Sequence, residues 1–365
     1  MTIRTCAPPR PSQLGTAALL QVRPKRQYGL TLVELMVAMA ISLLVTLAAI
    51  GALIVTRQGF TAVDASSQLR DNGRFAADLL QRLGGQTGYL NSLYVMEEAR
   101  LYGGDSIKVA GKVSDPEASV MGVNNAKWAE GSDFEWGKST TSVSGSSDIL
   151  VFRFLPSTEF IDGSGRTQTG MIACDGNAID DYVPNDMNDR AISVLYVGIS
   201  SDNEPALMCA HGRSALNGGV KDAEPLIQGV ENFQVLYGVD RITPNTATVA
   251  ATGTQEAKDD AVPDRYLRAD EFAVSGNDAA TKANWRRVRS IRIGMVLRGP
   301  IGSAPDNSAQ TFYPFGKAKA GTGAVGSALA SANDAGTIFS PTPDGRLRQV
   351  VTFTIHLRND QKHGL

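Results

Sequence analysis

The sequence predicts an α+β protein, in which one long N-terminal helix, apolar in its first half and amphipathic in its second, packs on an antiparallel β-sheet body with long polar loops. Three observations carry this. Residues 35–55 hold no charged side chain, residues 60–83 bring apolar side chains round at near-helical spacing, and six later segments read as strands. The 37 glycines and frequent Ser, Thr, Asn and Asp suit a turn-rich, β-rich body better than a helical bundle. With 42% hydrophobic and 20% charged residues in 365, the chain can bury one good-sized core or two smaller ones.

The run from Leu35 to Val55 (LMVAMAISLLVTLAAIGALIV) is charge-free, and at ~1.5 Å per residue it makes ~31 Å of helix, enough to cross a bilayer core. Arg23, Lys25 and Arg26 precede it and only Arg57 follows closely, so the N-terminal side is expected to stay cytoplasmic and the body to be exported. A secretory signal peptide would have a shorter apolar core with its small-residue cleavage site after it. Here the small residue, Gly29, comes before the run. Glu34 sits just inside the cytoplasmic end of the span, where an ordinary anchor has no use for a costly carboxylate.

Lys25-Arg26-Gln27-Tyr28-Gly29 followed by Leu30-Thr31-Leu32-Val33-Glu34-Leu35-Met36 resembles the type III signal of type IV pilins and pseudopilins. The resemblance implies a type IV pilin-like fold and cleavage after Gly29 by a prepilin peptidase. It also implies N-methylation of the new terminus at Leu30, and an assembly salt bridge made by Glu34. The family usually has Phe where this chain has Leu30. A leader of residues 1–29 is long for the family, and translation from Val22 would leave the short form VRPKRQYG.

Beyond the span, Phe60, Val63, Leu69, Phe75, Leu79, Leu80 and Leu83 recur among charged residues, which predicts a helix lying on a sheet. Gly84-Gly85 is expected to end it. The expected strands are 149–155, 192–199, 206–210, 230–239, 288–298 and 347–358. In the last, Val351, Phe353, Ile355 and Leu357 share one face, and Thr352, Thr354, His356 and Arg358 the other. The polar stretches 242–284 and 302–345 read as surface loops or partly disordered segments.

The body adds a narrower resemblance. LRDNGRFAADLL at 69–80, GGQTGY at 84–89, CAHG at 209–212, LIQGVENFQVLYGVD at 226–240, WRRVRSIRIGMVLR at 285–298 and RLRQVVTFTIHLRN at 346–359 look like the type IV pilus assembly protein W family. That resemblance implies a minor pilin that initiates pilus assembly and ends at the pilus tip. Its implied partners are other minor pilins, the major pilin, the inner-membrane assembly platform and a tip adhesin. A minor pseudopilin of type II secretion, resembling pseudopilin J, is the alternative. The resulting division is 1–29 leader, 30–56 membrane helix, 57–85 periplasmic continuation and 86–365 periplasmic β-rich body.

Little in the chain points to catalysis, metal or cofactor chemistry. GxSxG, Walker, Rossmann and HExxH patterns are absent. His211 is placed in a loop, His356 on the polar face of a strand, and His363 near the C-terminus. The acids at 180–181 and 186–189 lack calcium-loop spacing. Arg286, Arg287, Arg289 and Arg292 form the densest basic cluster, but Trp285 is its only aromatic neighbour. Residues 1–29 hold five cations and no acid, so the remainder carries a formal −7, and nucleic-acid binding is not expected. Of three cysteines, Cys6 lies in the leader. Removing it leaves Cys174 and Cys209, whose lone spacing fits a disulfide better than zinc. A membrane-anchored periplasmic enzyme would need a site hidden in the loops.

Overall fold

The computed structural model describes residues 29, 31–89, 118–128, 141–142, 147–156, 160–161, 167–168, 170–177, 190–213, 220–248, 262–304, 306–317 and 338–359. The leader before Gly29, Leu30, the acids at 180–181 and 186–189, His363 and parts of both polar stretches lie outside them. The chain divides into two units, Met1–Thr56 and Arg57–Leu365. Helix α1 is Leu32–Gln86. The strands are β1 (Val120–Val123), β2 (Ala126–Lys127), β3 (Thr141–Ser142), β4 (Ile149–Phe154), β5 (Phe160–Ile161), β6 (Thr167–Gln168), β7 (Ala191–Ile199), β8 (Pro205–Arg213), β9 (Val220–Gln228), β10 (Val230–Val239), β11 (Arg265–Leu267), β12 (Val288–Arg298) and β13 (Arg348–His356). A short 3-10 helix, Ala269–Phe272, and helix α2, Asp278–Trp285, stand between β11 and β12.

In the second unit, α1 buries Ala65, Leu69, Gly73, Ala76, Leu80, Leu83 and Gly84, one stripe at helical spacing. Each large apolar side chain so buried contributes about 1.5–3 kcal/mol. The sheet below has the order β11-β10-β12-β13 and is antiparallel throughout. Val351, Phe353 and Ile355 of β13 face the helix, and the two glycines let them approach. A Cβ on Gly73 would come 2.7 Å from Val351 Cγ2, and one on Gly84 2.5 Å from Ile355 Cγ2. α1 runs one residue past Gly84-Gly85 to Gln86, and Gly84, like Gly73, serves close packing on β13. Phe60, Val63 and Phe75, expected on the packed stripe, are 73%, 71% and 56% exposed. At 100° per residue they point away from Leu69 and Leu80, and small residues fill the places between.

The opposite face of this sheet is covered by the turn at 312–316, whose Pro314 packs on Gly294 and accepts a hydrogen bond from Thr352 Oγ1 at 2.6 Å. A second antiparallel sheet runs β1-β4-β7-β8-β9. β10 links the two sheets. β9 passes into β10 through Gly229, at φ +83°, whose N–H donates to Pro205 O and whose carbonyl accepts from Arg298 N, both at 2.7 Å. Farther along β10, Ser147 and Asp148 take the place of a neighbouring strand. Phe233 N donates to Ser147 Oγ (3.0 Å), Val235 N to Asp148 Oδ2 (2.8 Å), and Asp148 N to Phe233 O (2.8 Å).

Within 242–284, β11, the 3-10 helix and α2 up to Asn284 are regular structure rather than loop, held by buried aromatics. Phe272 and Trp285 stack at 3.9 Å, and both meet Tyr237 of β10 edge-on. Burial, and then the charge of Asp148, push the Tyr237 phenol well above its ordinary range, so it stays neutral. Asn277 caps α2 by accepting from Ala280 N, and Asn284 Nδ2 donates to the Thr246 and Phe272 carbonyls.

Candidate functional site

The head of α1 is built from a short polar pattern. Thr31 precedes the first helical residue and Glu34 is the third, the spacing of a capping box. Glu34 N donates to Thr31 Oγ1 at 3.3 Å, and Thr31 N donates to Glu34 Oε2 at 3.3 Å. Two amides that a helix start leaves unpaired are thus satisfied, and the carboxylate lies where the helix dipole favours a negative charge. Glu34 therefore has an intrachain role with Thr31 as its partner, and T-x-x-E is legible in the sequence. Gly29 is exposed, and a Cβ there would meet nothing within 4 Å.

From Leu32 to Phe60 every residue of α1 is exposed, including Leu43 at 71% and Val55 at 68%. Its hydroxyls bond back along the helix: Ser42 to Ala38 O (2.8 Å), Thr46 to Ser42 O (2.7 Å) and Thr56 to Ala52 O (2.7 Å). An apolar helix with its polar groups satisfied internally is the form in which a backbone enters lipid. α1 is long and apolar enough to cross a membrane.

In the body, Cys174 and Cys209 are joined as a disulfide with Cα atoms 6.0 Å apart, tying the 171–177 turn to β8. Both are buried, at 2% and 0% exposure. His211 lies in β8 and not in a loop. Its Nε2 is 3.3 Å from Asp175 Oδ2, a second link between the same two segments. Of the basic cluster, Arg286 and Arg289 are buried, and Arg289 Nη1 donates to Arg286 O at 3.0 Å. Its one aromatic neighbour, Trp285, is 1% exposed, leaving no stacking surface for a base. Among the described residues no group of three or more His, Cys, Asp or Glu could hold a metal.

Six charges gather where β10 begins and β12 ends. Arg298 bonds Glu204 (2.6 Å) and Glu231 (3.0 Å), Arg346 bonds Glu204 (2.9 Å), and Arg348 bonds Glu231 (2.6 Å) and Asp344 (2.8 Å). The Arg298 hydrogen bond, opposed by burial and aided by Arg346, holds the Glu204 carboxyl below its usual range. Burial works to raise Asp344, but Arg348 and Arg346 outweigh it and the net shift is downward.

Residues 194–359 match the family model described as Type IV Pilus-assembly protein W, and residues 24–50 match the prokaryotic N-terminal methylation motif. Comparison with curated proteins gives no match. Among solved structures, a type IV-like pilin from Thermus thermophilus is similar at 14% identity and TM-score 0.38, covering 80% of this chain and 98% of that one.

Proposed function

From the premise that the chain is type IV pilin-like and PilW-like, with an N-terminal methylation motif, we propose that it is a minor pilin. On this reading a prepilin peptidase cuts after Gly29 and methylates Leu30. The protein is held in the inner membrane by 30–56 with its body periplasmic, and helps to start pilus assembly from a complex that ends at the tip. Its work is binding and polymerisation, with other minor pilins, the major pilin, the assembly platform and a tip adhesin as partners. The observation that carries the reading is the coincidence of the motif at 24–50 with the PilW-like body at 194–359 in one chain.

Glu34 supplies the register on this reading. It lies four residues, about 6 Å of helix, beyond the amine that cleavage would create at Leu30. A neighbouring helix staggered by that rise sets its own amine against Glu34, where water is scarce and a stranded charge is costly. Intact-mass analysis of membrane or sheared-pilus material is expected to give a methylated Leu30 terminus. A terminus beyond Val55 would make the chain an ordinary secreted protein. Glu34→Ala is expected to insert and be cleaved, yet to fail to co-purify with pilus subunits. Normal incorporation of that variant would remove Glu34 from the assembly step.

A further inference from the structure

We propose that the cleft between the last turns of α1 and the exit from β13 receives a carboxylate of a neighbouring pilus subunit, gripped by Arg82 and Arg358. The inference rests on the minor-pilin reading and adds a site on the body to it. The cleft is open, about 380 Å³, and lined by Asp78, Gln81, Arg82, Gly85 and Arg358. Its two walls are fixed to each other, because Asn359 Nδ2 donates to the carbonyls of Gly85 (3.1 Å) and Thr87 (2.9 Å). Arg358, next in chain to that clip, is held at a set distance from the helix.

Arg82 and Arg358 make no ion pair or side-chain hydrogen bond among the described residues, and Asp78, although four residues before Arg82, makes none with it. Elsewhere Arg298, Arg346 and Arg348 are all paired with carboxylates of this chain. Gly85 gives an independent indication. Its neighbour Gly84 is explained by Ile355, but a Cβ on Gly85 would meet nothing within 4 Å. Internal packing does not require a glycine there, and glycine is a poor helix residue. What the missing side chain does is leave the cleft floor bare, so that another backbone can come close. Two guanidinium forks at such a floor fit an Asp or Glu side chain, which they can bond in bidentate fashion.

The test uses the full-length chain in the membranes of cells that assemble the pilus. The double reversal Arg82→Glu/Arg358→Glu is expected to cut recovery of co-purifying pilus subunits about ten-fold, the scale of losing charge-assisted contacts, with the disulfide and Tm unchanged. Gly85→Leu fills the floor with a good helix former, so its Tm is expected to equal or exceed the parent's while recovery still falls. A purely structural glycine would give the opposite. Photo-crosslinking from p-benzoylphenylalanine at position 81 is expected to map to an acid-bearing segment of another subunit. Undiminished recovery by both folded variants, or adducts only to lipid or to segments without an acid, overturns the cleft while leaving the minor-pilin reading intact. A parent chain that recovers no pilus subunit overturns both.

Discussion

Gly229 is a residue whose side chain would have nowhere to go. Its φ of +83° favours glycine, and an added Cβ would lie 2.6 Å from the Arg298 carbonyl, a backbone atom that cannot turn aside. Gly229→Ala is expected to cost at least the ~1–3 kcal/mol of forcing a side chain into that conformation. Thermal unfolding of the body would show this as a lowered Tm. At the head of α1, Thr31→Val removes one half of the capping box and is expected to weaken the first helical turn by about 1 kcal/mol, while keeping the Glu34 charge. Comparing it with Glu34→Ala in co-purification separates the cap from the assembly role proposed for the carboxylate. If both variants lose partners equally, the cap and not the charge is what assembly needs. The Thr31–Glu34 cap is legible because its spacing is local in the sequence. The cleft arginines are not, since Arg82 and Arg358 meet only after the whole body has folded between them.

At the scale of elements, β10 and β12 run 230–239 and 288–298, the bounds expected from their sequences. They are central strands covered on both faces, so nearly every residue is apolar or buried and the signal is long. β9 was missed because it is an edge strand, VKDAEPLIQ, whose Pro225 and charges suit an edge and disguise it as loop. α2 was hidden in the same way, since eight residues without a strong apolar stripe depend on the Asn277 cap and on Trp285 packing. The contact of α1 with β13 gives a test by compensation. Gly73→Ala presses a methyl on Val351 and is expected to destabilise, by about 1–3 kcal/mol if the strand cannot yield. Adding Val351→Ala is expected to restore part of that loss in chemical denaturation. Cys174→Ser opens a link spanning 35 residues. The expected loss is roughly 3–4 kcal/mol, read as a lower Tm and steady-state level. Two free thiols in the alkylated, unreduced protein would refute the pairing.

For the whole molecule, the charge cluster around Glu204, Glu231 and Asp344 brings together the β7–β8 turn, the start of β10, the end of β12 and the approach to β13. Glu204 and Asp344 have carboxyls lowered in the folded state. Their contribution is therefore complete above the ordinary carboxylate range, roughly pH 4–5, and is lost as pH falls through the lower folded values. Melting of the body is expected to hold steady from neutrality to about pH 5 and then to decline. Glu204→Gln should flatten that decline and lower the plateau. An unchanged acid limb in the variant would show that the cluster carries no pH dependence.

The contact between β13 and α1 also sets an order of events during synthesis. Val351 and Ile355 lie on Gly73 and Gly84, and Asn359 clips carbonyls at 85 and 87, a sequence separation of 274 residues for the Gly85 bond. The stripe of α1 lacks its β13 cover until residues 348–359 have left the ribosome, and closing so long a loop slows the final step. Throughout that interval the chain is unfinished, open to chaperones and proteases. Stopping translation after residue 345 is expected to leave the helix permanently without its lid, and pulse-chase labelling should show such a chain degraded well before it reaches any partner.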